Sequence, residues 1–87
     1  MRDDAERRRF EHAEAGGVVH ADYARRPGLL VIRHVYAPPV LRGTGAAGRL
    51  MEAVAAQARA EDRRILPLCG YARAWLAASP AHRDLLA

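Results

Sequence analysis

Eighty-seven residues leave room for one small domain, since two hydrophobic cores do not fit in a chain this short. The chain carries fourteen arginines, no lysine, nineteen alanines and ten acidic residues, for a formal charge of +4, which points to an anionic partner: nucleic acid, phospholipid headgroups or a phosphorylated cofactor. At 51% hydrophobic and 28% charged residues it reads as a globular domain and not a disordered tail, and its longest apolar runs, such as Leu29–Ile32, fall far short of the roughly 20 residues a membrane span requires.

The N-terminal run Met1 to Glu6 is rich in acids and lacks the apolar stretch of a signal peptide. A single cysteine, Cys69, allows no internal disulfide and no cysteine zinc site, so a reducing cytoplasm is the expected compartment. The arginine and alanine bias resembles the codon usage of a GC-rich bacterium.

The first nine residues are dominated by charge and are expected to fray. Arg8 to Glu14 alternates weakly, and Gly16-Gly17 reads as a hairpin turn into a second strand over Val18–Ala24, with Val19, Ala21 and Tyr23 on one face. Arg26-Pro27-Gly28 is a second turn. Leu29 to Ala37 is β-branched and apolar on both faces, the pattern of a strand central in its sheet. Pro38-Pro39 ends it by removing two backbone donors. A glycine-rich stretch, Arg42 to Gly48, opens a helix reaching about Asp62, whose apolar face is Ala47, Leu50, Met51, Val54 and Ala58. Ile65–Leu68 is a short strand, Tyr71–Ala78 a short helix, and a final turn ends in Leu85-Leu86. The order β-β-β-α-β-α predicts a mixed α+β domain, an antiparallel meander followed by one parallel βαβ crossover.

Three glycines at a strand-to-helix junction suit a phosphate, because the backbone can approach the anion closely and the first helical turn offers unpaired N–H groups. They serve equally well to permit a tight turn. A P-loop requires a lysine and is excluded. Gly43-x-Gly45-x-x-Gly48 satisfies the dinucleotide fingerprint literally, but the acid that fingerprint places at the end of the next strand is absent: Glu61 and Asp62 precede Ile65, and that strand ends in Cys69-Gly70. Arg42-x-x-Gly45-x-Ala47 fits a third pattern, Gln/Arg-x-x-Gly-x-Gly/Ala.

That pattern resembles the signature of the GNAT acetyltransferase superfamily, which cradles the pyrophosphate of acetyl-CoA. The chain is similar to a minimal, single-domain branch of about ninety residues, in which His-Thr-x-Val-Pro precedes the RGxGxA loop and Pro-x-Cys-x-Tyr follows the helix. Here these are His34-Val35-Tyr36-Ala37-Pro38, Arg42 to Ala47, and Pro67 to Tyr71, with a tail of Trp75-Leu76, Ser79-Pro80 and Asp84-Leu85-Leu86. Val35 replaces the branch's threonine, Ala37 its valine, and Ser79 the histidine before the tail proline.

The resemblance implies one domain over residues 1–87 that binds acetyl-CoA and passes its acyl group to an amine. Backbone N–H groups around Val35, Tyr36 and Ala37 take the thioester oxygen. Arg42, Gly43, Thr44, Gly45, Ala46, Ala47 and Gly48 take the pyrophosphate. Cys69, at the strand edge where open α/β sheets bind ligands, has three readings: acyl-accepting nucleophile, lining of the thioester slot, or inert buried thiol. His34 is the general-base candidate, with a packed structural histidine as the alternative. Tyr71 hydrogen-bonds the leaving thiolate or packs at the rim. His12, His20 and His82 have no ligand spacing, so no metal is expected, and Trp75 reads as packing. The amine acceptor, protein or small molecule, is not encoded in any recognisable motif. Exposed strand edges leave monomer and homodimer open. The competing class is a small basic interaction or nucleic-acid-binding module. Against it, the arginines are scattered and not gathered in a stripe interleaved with aromatics.

Overall fold

Runs of β-branched and aromatic residues at every second position favour strands, and the computed structural model, which describes residues 1–87, joins five strands into one sheet. Strands β1 (Arg2–Asp4), β2 (Arg9–Glu14), β3 (Gly17–Arg26) and β4 (Leu29–Tyr36) form an antiparallel meander. Strand β5 (Arg64–Pro67) pairs with β4 in parallel, so the sheet order is β1-β2-β3-β4-β5. Helix α1 (Ala46–Ala60) is the crossover between β4 and β5, and α2 (Gly70–Ala78) follows β5. The Cα radius of gyration is 11.9 Å, the size expected of a single domain of this length.

The expected mixed α+β order is present with one strand added. The charged N-terminus does not fray: it forms β1, and the acids that suggested a solvated end are what anchor it. Tyr23 Oη donates to Asp3 Oδ1 at 2.5 Å, and Arg25 Nη2 donates to Asp3 Oδ2 at 3.1 Å. At the opposite edge the C-terminus also joins the sheet. The Ala87 N–H donates to the Ile65 carbonyl at 2.8 Å, and Leu86 bridges Ile65 in parallel.

One sheet face is given to the core. Phe10, Val19, Ala21, Tyr23, Leu30, Ile32 and Ile65 pack there with Leu50, Met51 and Val54 of α1 and Leu76 of α2. Both helices therefore cover the same face. Val31, on the other face, is buried but lies outside this cluster.

The C-terminal end of α1 is locked to the meander by a polar knot. Arg25 reaches over the rings of Phe10 and Tyr23 and donates two bonds of 2.8 Å to Glu61. Gln57 and Arg63 add bonds of 2.6 and 2.8 Å to the same carboxylate. Hydrogen bonds from Arg25 foremost, with those from Gln57 and Arg63, outweigh burial and bring the Glu61 carboxyl from 4.5 down to about 2. A depressed carboxyl stabilises the fold above its unfolded pKa and loses that contribution as pH falls through the folded value. The knot should therefore contribute fully above about pH 5 and fade toward pH 2, with about 1–2 kcal/mol at stake after solvent screening. Urea unfolding at pH 7 and pH 3 checks this: the loss on acidification is smaller in Glu61→Gln than in the wild type, and equal losses would assign the acid sensitivity elsewhere.

Two departures from regular sheet geometry position the site. Asp22 pairs with His34 but Tyr23 pairs with Ile32, which leaves Arg33 as the extra residue of a β-bulge in β4. The bulge inverts the alternation. Val35, opposite Ala21, turns to the helix side and packs against the core, while His34 and Tyr36, opposite Asp22 and His20, turn to the open face. Beyond Ile32 the parallel ladder also stops. The Leu68 N–H donates to the Ile32 carbonyl at 2.9 Å, after which β5 gives way to α2 and the last part of β4 has no neighbour on that side.

Candidate functional site

A tight return follows β4. Pro38 and Pro39 cannot extend the ladder, and Pro39–Leu41 makes a single 3₁₀ turn with Leu41 buried beneath it. Gly43 and Gly45 then take φ of +77° and +87°, a left-handed backbone that costs any other residue roughly 1 kcal/mol or more. Gly45 is the N-cap of α1, so the helix begins without a side-chain cap of its own. Thr44 does part of that work: its hydroxyl donates to the Leu41 carbonyl at 2.5 Å and accepts from the Ala46 N–H at 3.3 Å.

The N–H groups of Gly43, Gly45, Ala47 and Gly48 have no acceptor within the protein. The same four residues line one cavity of about 410 Å³, together with Arg42, Leu41, Val35, Ala37 and Tyr71. That volume is within the range of small-ligand sites, roughly 300–1,000 Å³. One end is therefore a loop of open donors at a helix N-terminus. The other end is walled by Val35 near the end of β4 and by Tyr71 of α2.

Of the rim side chains, Arg42 is held by identifiable partners. Arg42 donates from Nε to the Ala37 carbonyl at 3.0 Å and lies 5.9 Å from the centre of the Tyr36 ring, and its terminal nitrogens make no hydrogen bond within the protein. Tyr71 stands in the first turn of α2. Partial burial raises its phenol above the ordinary value of 10, and the neighbouring Cys69 adds to the rise. Gly48 has a different role from the two left-handed glycines. A Cβ there would meet Trp75 Nε1 at 3.4 Å and Tyr71 Oη at 3.8 Å, ordinary contact distances, so Gly48 marks where α1 and α2 come together. Trp75 is a packing residue, as expected, and stacks on His82 with ring centres 5.7 Å apart.

Of the sequence-predicted residues, the cavity thus gathers Val35, Ala37, Arg42, Gly43, Gly45, Ala47, Gly48 and Tyr71. It does not gather His34, Tyr36, Thr44, Ala46 or Cys69. His34 is not packed among core residues: the bulge at Arg33 exposes it on the open face. Tyr36 stacks on His20 there, with ring centres 5.4 Å apart. Cys69 is half-buried against the core at the N-cap of α2. Leu41 forms part of the wall and was not anticipated; the apolar pair Val40-Leu41 between the prolines and Arg42 was the available signal. No cluster of histidine, cysteine and carboxylate groups is arranged to hold a metal, and no helix is long and apolar enough to cross a membrane.

A family model described as GCN5-related N-acetyl-transferase matches residues 9–85. The chain belongs to that family. No curated protein matches it closely enough to count as a relative. The acetyltransferase fold accounts for the order of elements around the cavity: an interior strand that ends early, a glycine loop, a helix, and a parallel strand that diverges. Val35, which stands where the minimal branch resembled above carries threonine, is part of the cavity wall, so that departure removes a hydroxyl from the site itself.

Proposed function

We propose that this acetyltransferase-family domain binds acetyl-CoA in the cavity of Val35, Arg42, Gly43, Gly45, Ala47, Gly48 and Tyr71 and transfers its acetyl group to an amine. The observation that carries the reading is the coincidence of four unpaired amides with the wall of one cavity that also takes in Val35 near the end of β4 and Tyr71 of α2. Amides of Gly43, Gly45, Ala47 and Gly48 bind the pyrophosphate, and the unpaired terminal nitrogens of Arg42 add charge-assisted bonds. The cofactor supplies an activated thioester. The unpaired edge of β4 around Val35 takes the thioester oxygen, and Tyr71, neutral at pH 7, donates to the departing sulfur. His34 faces the open side of the sheet, from which an amine reaches the parting of the strands, and accepts the proton the amine must lose. Thr44 and Ala46 act indirectly, by fixing the helix start. Cys69, packed against the core outside the cavity lining, forms no covalent intermediate.

The competing interaction-module reading is weakened by the use of charge inside the molecule: Arg25, Arg49, Arg59 and Arg63 are each tied to a carboxylate.

Calorimetric titration with acetyl-CoA tests the proposal, together with thermal unfolding in excess ligand. The expected result is binding in the micromolar range and a rise of several degrees in midpoint; absence of both at millimolar ligand would falsify it. Intact-mass spectrometry after incubation with acetyl-CoA should show no acetyl adduct. An adduct lost in Cys69→Ala would instead make Cys69 a nucleophile.

A further inference from the structure

Arg49 belongs to α1, and half of its side chain is exposed. Its position is nevertheless specific. It lies four residues after Gly45, one helical turn on, and its guanidinium folds back over the loop: a Cβ placed on Gly45 would sit 2.9 Å from Arg49 Nη1. The side chain is held there by a fork. Nε and Nη2 donate to the two oxygens of Glu14 at 2.5 and 2.8 Å, and Nη2 also reaches the Thr44 carbonyl at 3.2 Å. Nη1, the nitrogen nearest Gly45, makes no hydrogen bond. Glu14 is itself steadied by His12 Nε2 at 2.7 Å and closes the β2–β3 hairpin, whose tip abuts Pro38 and Leu41 beside the cavity.

We propose that Arg49 is a phosphate-binding residue of the cofactor site and that Glu14 is its resting counter-ion, displaced when a phosphate of the cofactor arrives. The inference rests on the acetyl-CoA reading and deepens it. A carboxylate fork and a phosphate present the same geometry to a guanidinium. A bound phosphate on the amides of Gly45 and Ala47 lies next to Nη1 without any rearrangement of the helix. Glu14 then competes with the ligand for one cation, so the two residues should affect affinity in opposite directions. An ion pair that merely fastened the hairpin to α1 would give both variants the same sign.

The test is titration with CoA and with dephospho-CoA, which lacks the 3′-phosphate, for the wild type, Arg49→Gln, Glu14→Gln, the double variant and Arg83→Gln. Arg83 is exposed on the C-terminal turn and provides the same charge change away from the cavity. Arg49→Gln should weaken CoA about tenfold and Glu14→Gln tighten it about threefold. The tightening should disappear when Arg49 is also replaced, and Arg83→Gln should bind like the wild type. A penalty for Arg49→Gln that persists with dephospho-CoA assigns the pyrophosphate; one that vanishes assigns the 3′-phosphate. Weakening by Glu14→Gln, an unchanged affinity in Arg49→Gln, or an equal loss in Arg83→Gln would refute the proposal. Failure of the wild type to bind CoA would instead remove the acetyl-CoA reading itself. Thermal midpoints without ligand identify any variant whose affinity change is only a loss of folded protein.

Discussion

Ala47→Glu should lose acetyl-CoA binding by a factor of about 100 or more while unfolding within a few degrees of the wild type. Ala47 is the second residue of α1, lines the cavity, and offers one of the four unpaired amides. A carboxylate there faces the place where the pyrophosphate belongs. In a partly enclosed site, repulsion of this kind readily exceeds about 2.7 kcal/mol, the equivalent of that factor. For the helix the same substitution is favourable, since an acid in the first turn interacts well with the dipole, by about 0.3–1 kcal/mol. Substituting Gly45 would separate the effects less cleanly. Its φ of +87° penalises any side chain, and a Cβ would push on Arg49, so lost affinity and lost stability would come together. Calorimetry paired with thermal unfolding reads both quantities. Near-native affinity in a folded Ala47→Glu protein would move the phosphate site away from this loop.

The loop is also the part of the molecule the sequence displayed best, and for a physical reason. Proline, glycine and a following helical period are local signals: each acts through its own backbone, so Pro38-Pro39, Gly43, Gly45 and the α1 face could be located without knowledge of the fold. The orientation of His34 was not of that kind. It depends on a bulge at Arg33, which exists because β3 and β4 differ by one residue over their paired length, and no residue in β4 announces it. Strand β1 escaped for a related reason. Asp3 is anchored by Tyr23 and Arg25, more than a dozen residues away, and a short charged segment looks the same in sequence whether or not such partners await it. Gly48 shows a third limit. It completes a nucleotide-like spacing, yet it lies inside α1 without the left-handed backbone of Gly43 and Gly45, and Trp75 and Tyr71 stand at contact distance from it. Motif letters record that a side chain is missing and are silent about what surrounds its place.

Tyr71→Phe should reduce the rate of acetyl transfer about 100-fold and leave the dissociation constant of acetyl-CoA nearly unchanged. The ring supplies the cavity wall, and phenylalanine retains it. Only the hydroxyl is lost, so any interaction that exists solely when negative charge gathers on sulfur is what disappears. Proton donation by a positioned side chain commonly contributes a factor of 10²–10⁴. The phenol is suited to that task because partial burial, with Cys69 beside it, raises its pKa above 10 and keeps it protonated throughout the physiological range. The raised value also gives the direction of the pH dependence: the hydroxyl's contribution stays constant through neutral pH and is lost only in strongly alkaline solution, where the phenol ionises. Thiol release with a panel of amines measures the rate, and calorimetry measures the affinity. A drop in rate with constant affinity supports the donor role. A parallel loss of both would show that the hydroxyl serves only to hold the wall in place, and the leaving sulfur would then have to be stabilised by the backbone of β4 alone.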